Sequence, residues 1–134
     1  MLGRDQTSTP ASTATPFAIY KRELDARTTV VSVEGELDLS TAPRLKWMLT
    51  DALGSGAQRV LVDLSRVGFM DSTALGVLVA AQRKLGADER LAIVCSDERV
   101  RQIFEFSGID GAFAISSTLE QALERLDAEA APAP

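Results

Sequence analysis

A carboxylate and two hydroxyl groups stand side by side at the predicted start of a helix. Asp71, Ser72 and Thr73 follow the apolar run 60–64 and a short predicted loop, and a helical pattern of apolar residues begins just after them. The first turn of a helix has unpaired backbone N–H groups and carries the positive end of the helix dipole. Asp, Ser and Thr are the preferred N-cap residues, so helix capping is the first interpretation of this junction.

Gly76 adds a second interpretation. It falls within the helix that follows Asp71, where a glycine costs about 1 kcal/mol of stability relative to alanine. A glycine inside a helix usually indicates that another backbone or a partner comes close to it. The helix face near Ser72 is therefore also a candidate docking surface.

A second acidic stretch lies earlier in the chain, at 34–42. The carboxylates of Glu34, Glu36 and Asp38 crowd the end of a predicted strand and the start of a predicted helix. Acidic side chains in a first helical turn are favoured by the dipole and are usually solvated, whereas the same residues can also form a recognition loop. The residues alone leave both interpretations open.

The composition excludes most enzyme chemistry. The 134 residues contain no histidine and one cysteine, so the chain has no Ser/His/Asp or Cys/His relay and no intramolecular disulfide. The sequence has no glycine-rich phosphate loop, no nucleophile elbow and no metal-ligand cluster. Asp63 lacks the acidic pair and the lysine that a phospho-aspartate site needs. We therefore expect no catalytic residues, no metal and no cofactor.

The charge balance and hydropathy restrict the partners and the compartment. The chain has 14 basic and 19 acidic side chains, a net charge of −5, and its three lysines are scattered, which argues against binding DNA or RNA. No apolar run approaches the roughly 20 residues that span a bilayer. We expect a cytoplasmic protein that binds no nucleic acid and does not insert into a membrane.

The composition also divides the chain into one domain and two arms. Residues 1–16 are rich in Ser, Thr and Pro with almost no large apolar side chains, and residues 127–134 have a similar composition. Such segments cannot bury enough apolar surface to offset chain entropy. We predict a flexible arm at 1–16, a single domain at 17–126 and a flexible tail at 127–134.

The apolar pattern of the domain alternates between strands and helices. Two β-prone runs flank the polar stretch 25–28 and predict an antiparallel pair, the runs 60–64 and 91–94 are typical of buried strands, and 113–115 is a last strand. Helical spacing predicts four helices between and after the later strands. The fold class is therefore α/β: a mostly parallel, mixed sheet with an N-terminal antiparallel pair, covered by about four helices.

Two of the predicted helices carry start signals. Ser40 or Thr41 is the expected N-cap of the first helix, with Pro43 tolerated in its first turn. The capping box Ser117-x-x-Glu120 is expected to open the last helix.

Three stretches resemble one known family. GELDLSTA (35–42) resembles the GELDxxTA loop of the STAS family, and VLVDLSRVGFMDSTALGVLV (60–79) resembles its strand, loop and phosphorylatable-serine helix. SDERVRQIFEFSGID (96–110) is similar to the later helix of the family, which ends in an SG turn. Together they resemble the bacterial anti-sigma factor antagonists over about residues 17–126, which implies the STAS fold.

The resemblance implies a role for each motif. Ser72, directly after Asp71, is the implied phosphoacceptor for a partner kinase. Many relatives have serine and then glycine where this chain has Thr73 and Ala74, so Thr73 is the second candidate acceptor. The implied partner-binding residues lie on the first two motifs and are Glu36, Asp38, Thr41, Asp71, Thr73 and Gly76.

The resemblance implies a switch between partners and not an enzyme. The unphosphorylated protein would bind an anti-sigma factor that is also a GHKL-type serine kinase, and so free a sigma factor. Phosphorylation at Ser72 would end the binding, and a phosphatase would reverse it. Two alternatives stay open: an unphosphorylated STAS scaffold subunit of a lipid-transport or sensory complex, and a small-ligand or nucleotide-binding domain of the same fold. A homodimer also stays open.

Overall fold

Strands and helices alternate along the described chain. The computed structural model describes residues 15–85, 91–108 and 110–130, so most of the predicted arm at 1–16 and the end of the predicted tail lie outside it. The elements are β1 (Ala18–Glu23), β2 (Thr28–Leu37), α1 (Ala42–Gly54), β3 (Arg59–Met70), α2 (Ser72–Leu85), β4 (Ala92–Val94), α3 (Glu98–Phe106), a 3-10 turn (Asp110–Ala112), β5 (Ala114–Ser116) and α4 (Leu119–Ala130).

The strands form one mixed sheet in the order β1-β2-β3-β4-β5. β1 pairs antiparallel with β2, and the three other neighbouring pairs are parallel. The predicted α/β fold, with its N-terminal antiparallel pair and four helices, is confirmed for the described residues.

The turn between β1 and β2 is closed by an aspartate. The Oδ1 atom of Asp25 accepts the backbone N–H groups of Arg27 and Thr28, both at 2.8 Å. The bond from Arg27 is the main reason why the pKa of Asp25 lies below its usual value. Such side-chain to backbone bonds are the reason that aspartate is frequent in turns, and the turn predicted at 25–28 is confirmed.

The central strand β3 divides the core between the two faces of the sheet. Val60, Val62 and Leu64 belong to the large apolar cluster shared with α1, α2 and α3, whereas Leu61 packs in a smaller cluster with α4. Successive strand residues point to opposite faces. A strand covered on both sides is therefore apolar at nearly every position, as the run 60–64 predicts, with Asp63 as the exception.

Strand β3 continues to Met70, so the short loop predicted before α2 is wrong. β2 runs beside it to Leu37, and the pairs Glu36 with Phe69 and Leu37 with Met70 close the ladder. Register shifts between Ser32 and Glu34 and between Gly35 and Glu36 interrupt this pairing. Such irregularities break the two-residue period of a strand, which explains why the sequence pattern ends the strand too early.

The last helix begins and ends differently from the prediction. Thr118 is the N-cap in place of Ser117, because its hydroxyl accepts the N–H of Gln121 at 3.1 Å while the Gln121 side chain accepts the N–H of Ser117 at 3.2 Å. The helix runs to Ala130 and so includes residues 127–130 of the predicted tail. Arg59 helps to hold this end, since its Nη1 donates to the carbonyl of Leu126 at 3.0 Å.

Candidate functional site

The two polar motifs meet at the carboxyl ends of β2 and β3. These strands are parallel, so their ends lie at the same edge of the sheet, and the N–H of Asp71 donates to the carbonyl of Leu37 at 3.0 Å. The loop after β2 and the first turn of α2 are thereby joined. We call residues 36–41 together with 71–76 the junction surface.

Asp71 is the N-cap of α2. Its Oδ1 atom accepts the N–H of Thr73 at 2.9 Å and the N–H of Ala74 at 3.1 Å, and its carbonyl accepts the N–H of Leu75 at 3.2 Å. The capping interpretation of the sequence is therefore confirmed for Asp71. Two of the N–H groups that a helix start leaves unpaired are already occupied by this half-buried carboxylate.

The side chains that follow Asp71 differ in accessibility. Ser72 is the first residue of α2, and both Ser72 and Thr73 are exposed, so either hydroxyl can be reached from outside. Ala74, in contrast, is fully buried in the core beneath the helix. Its methyl group therefore packs inward and adds nothing to the outer surface at the junction.

Gly76 is exposed on α2, and no other segment of the described chain packs against it. A Cβ atom placed on Gly76 would meet no atom within 4 Å in the described part of the chain. Close approach of another segment of the same domain therefore does not explain the glycine. Its predicted role in partner contact stays a prediction.

The loop of the first motif is built around Asp38 and Thr41. The Asp38 Oδ1 atom accepts the hydroxyl of Ser40 at 2.7 Å and its N–H at 2.9 Å, and the N–H of Thr41 at 3.1 Å. The Ser40 hydroxyl is the main reason why the pKa of Asp38 lies below its usual value. Thr41 precedes α1 as expected, but its hydroxyl bonds within the loop, donating to the carbonyl of Glu36 at 2.8 Å.

These bonds separate the predicted partner-binding residues of the loop into two groups. Asp38 and Thr41 are half-buried and hold the shape of the loop, whereas the Glu36 side chain is exposed. Two apolar residues that the motifs did not single out also lie here: Leu39 is 73% exposed and Phe69 is 48% exposed. Leu39 follows Leu37 by two residues and so continues the period of the buried positions in β2, which is why the sequence pattern did not indicate its exposure.

A family model described as the STAS domain matches residues 20–122. The chain belongs to the STAS domain family. The family resemblance read from the three sequence motifs is thus confirmed.

Curated relatives of this STAS chain carry consistent names. It is 32% identical over 94 residues to the anti-sigma-F factor antagonist RsfB of Mycobacterium tuberculosis, which covers 70% of this chain and 77% of RsfB. It is 34% identical over 91 residues to the anti-sigma-B factor antagonist of Staphylococcus aureus, which covers 67% of this chain and 84% of that protein.

A solved structure is similar over most of the STAS chain. The crystal structure of an anti-sigma factor antagonist from Mycobacterium paratuberculosis matches it with a TM-score of 0.77 at 28% identity, covering 90% of this chain and 99% of that one. Among the described residues, no helix combines the length and apolar character needed to cross a membrane.

Proposed function

We propose that this STAS protein is an anti-sigma factor antagonist that acts in the cytoplasm. Unphosphorylated, it binds an anti-sigma factor with GHKL-type serine kinase activity and so releases a sigma factor. Phosphorylation of Ser72 by that kinase ends the binding, and a phosphatase restores it. The observation that carries the proposal is the exposed Ser72 at the first position of α2, joined to an acidic loop. The names of the two curated relatives support the sigma-factor pathway.

The proposed modification is an exchange of one phosphorus–oxygen bond for another. Ser72 Oγ forms a bond to the γ-phosphorus of ATP while the bond from that phosphorus to the leaving ADP oxygen breaks, and the hydroxyl proton passes to a base of the kinase. This chain supplies the hydroxyl and the surface that positions it. ATP, magnesium and the catalytic groups belong to the partner.

Electrostatics explains why the modified protein would leave its partner. A phosphate on Ser72 adds about −1.5 to −2 charges beside the Asp71 carboxylate. Because Asp71 already occupies the N–H groups of Thr73 and Ala74, these two donors are not free to hold the phosphate oxygens. The phosphate therefore projects toward the partner. Its repulsion with the nearby Asp71 carboxylate and its desolvation in the interface cost several kcal/mol of binding free energy. A loss of about 3 kcal/mol weakens binding about a hundredfold.

The test is phosphorylation of the full chain by its purified candidate kinase with labelled ATP, followed by mass spectrometry of the labelled site. We expect label on wild-type protein and on the Thr73→Ala variant, and none on Ser72→Ala. Ser96→Ala is the control, since Ser96 is an exposed serine that lies outside the junction surface. Equal labelling of Ser72→Ala and wild type would refute the assignment of the acceptor.

A further inference from the structure

Two arginines from different helices converge at the carboxyl ends of β4 and β5. Arg101 on α3 donates from Nη1 to the carbonyl of Cys95 and to Ser117 Oγ, both at 3.2 Å. Arg125 on α4 donates from Nη1 to the carbonyl of Ile115 at 2.7 Å and to Ser116 Oγ at 3.3 Å. Both guanidinium groups therefore reach the same short segment, 115–117.

The same two arginines line two surface cavities. One has a volume of about 400 Å³ and is lined by Arg101, Arg125 and the two serines 116 and 117, with Gln121 at the start of α4. The other, of about 250 Å³, shares both arginines and Ile115. The shared lining residues show that the cavities adjoin each other across the guanidinium groups.

Much of the hydrogen-bonding capacity of these side chains is unused. In the described chain, Nε and Nη2 of Arg101 and Arg125 make no hydrogen bond, and neither arginine lies in an ion pair. Glu105 and Glu124 also line the cavities, but neither lies within 4.0 Å of a guanidinium nitrogen. The Ser116 and Ser117 hydroxyls accept from the arginines and each keeps its own hydrogen to donate.

We propose that Arg101, Arg125, Ser116 and Ser117 bind a compact oxyanion of the phosphate class, either free phosphate or a small phosphate monoester. A guanidinium group presents a planar fork of donors that matches phosphate oxygens. The site lies at the carboxyl ends of parallel strands, where open α/β sheets bind their ligands. The start of α4 is nearby, and its dipole favours an anion. The site is separate from Ser72, so it does not depend on the proposed switch.

The test is a titration of the ¹⁵N-labelled full chain with inorganic phosphate, and separately with glycerol 3-phosphate, at constant ionic strength maintained with chloride. Saturable shifts of the amide signals of 115–118 are expected with at least one of the two ligands. Arg125→Gln and Arg101→Gln should each weaken binding about tenfold or more, because charge-assisted hydrogen bonds are lost. Arg99→Gln is the matched control, since Arg99 also lies on α3 but pairs with Asp97.

The outcomes distinguish the two possible ligands from each other and from results that contradict the proposal. Tighter binding of the monoester identifies a phosphorylated small molecule as the ligand, and tighter binding of inorganic phosphate identifies the free anion. Shifts that chloride reproduces, shifts that never saturate, or equal affinity in wild type and both glutamine variants would each overturn the proposal. Arg125→Lys, which keeps the charge and loses the planar fork, should bind more weakly than wild type and keep the fold.

Discussion

Asp71 has a structural task that can be separated from its charge. Its carboxylate caps α2 through the N–H groups of Thr73 and Ala74. Asp71→Ala removes the cap and should lower the free energy of unfolding by about 1 kcal/mol, measured by urea denaturation. Asp71→Asn keeps an N-cap oxygen and should cost much less. An alanine variant as stable as wild type would contradict the capping role.

The thiol of Cys95 should be unreactive in the native protein. The side chain is fully buried, and burial raises the pKa of the thiol to about 11 from an ordinary value of 9.0. Only the thiolate reacts with iodoacetamide, so at pH 8 alkylation should be slow in native protein and fast in urea, as mass spectrometry would record. Rapid alkylation without denaturant would show that the thiol is accessible.

The raised pKa of Cys95 also makes the free energy of unfolding depend on pH. The contribution of the buried thiol to stability is fully present below pH 9, where the thiol is protonated in both the folded and the unfolded protein. Between pH 9 and 11 the unfolded thiol ionises first, so this contribution falls as the pH rises. A Cys95→Ala variant should show less loss of stability than wild type over this range.

At the scale of single elements, β2 depends on a glycine. Gly35 has a φ of +99°, and a Cβ there would lie 3.0 Å from the Cα of Phe17 and 3.1 Å from the carbonyl oxygen of Thr15. Gly35→Ala should therefore destabilise the domain by roughly 1–3 kcal/mol in thermal or urea unfolding. Gly54→Ala is the matched control, because a Cβ on Gly54 would meet nothing within 4 Å. Equal effects of the two substitutions would refute this explanation.

Gly76 in helix α2 is the opposite of Gly35, because an added methyl group should stabilise the domain there. Gly76→Ala should stabilise the isolated domain by about 1 kcal/mol, since the position is helical, exposed and free of neighbours. If the partner packs against this face, the same methyl group should weaken binding about tenfold, as overpacking at a close contact does. Unfolding and isothermal calorimetry on one variant measure both effects. A stabilised variant with unchanged affinity would exclude Gly76 from the interface.

For the whole molecule, charge at Ser72 should change binding and leave the fold intact. Ser72→Glu places an anion at the first turn of α2, where the helix dipole offsets its repulsion with Asp71. The far-ultraviolet circular dichroism and the melting temperature should stay close to wild type, while affinity for the proposed kinase partner falls. Thr50→Glu adds the same charge on the exposed side of α1 and should bind normally. A loss of affinity in both variants would indicate a general charge effect.

Much of this architecture could be predicted from the sequence because burial leaves a pattern. The nearly continuous apolar run 60–64 in β3 and the helical spacing of Leu45, Leu49 and Ala52 both reflect burial that the structure contains. Pairing beyond Leu64 could not be predicted, since that part of the ladder contains register shifts and polar residues. The N-cap of α4 was misplaced by one residue because Ser117 and Thr118 have equivalent hydroxyls, and only Gln121 and Arg101 distinguish them.

The candidate site was predictable to a similar degree. The motif placed Ser72 at an accessible helix start, and the structure agrees. The sequence could not show that Asp38 bonds to its own loop, because these hydrogen bonds depend on the path that the backbone takes after the end of β2. The burial of Ala74, in contrast, follows from helical spacing, since it lies four residues before the buried Leu78.

The bond between the Asp71 N–H and the Leu37 carbonyl means that the region around Ser72 is a discontinuous epitope. Two stretches separated by some thirty positions in the chain are neighbours only while the sheet is intact. A short synthetic peptide copied from the start of α2 would lack the other half of what an enzyme meets, and would serve as a poor substitute for the intact domain. Under the proposed function, unfolded or nascent chains would thus escape modification, and the kinase would act on molecules that have already reached their native form.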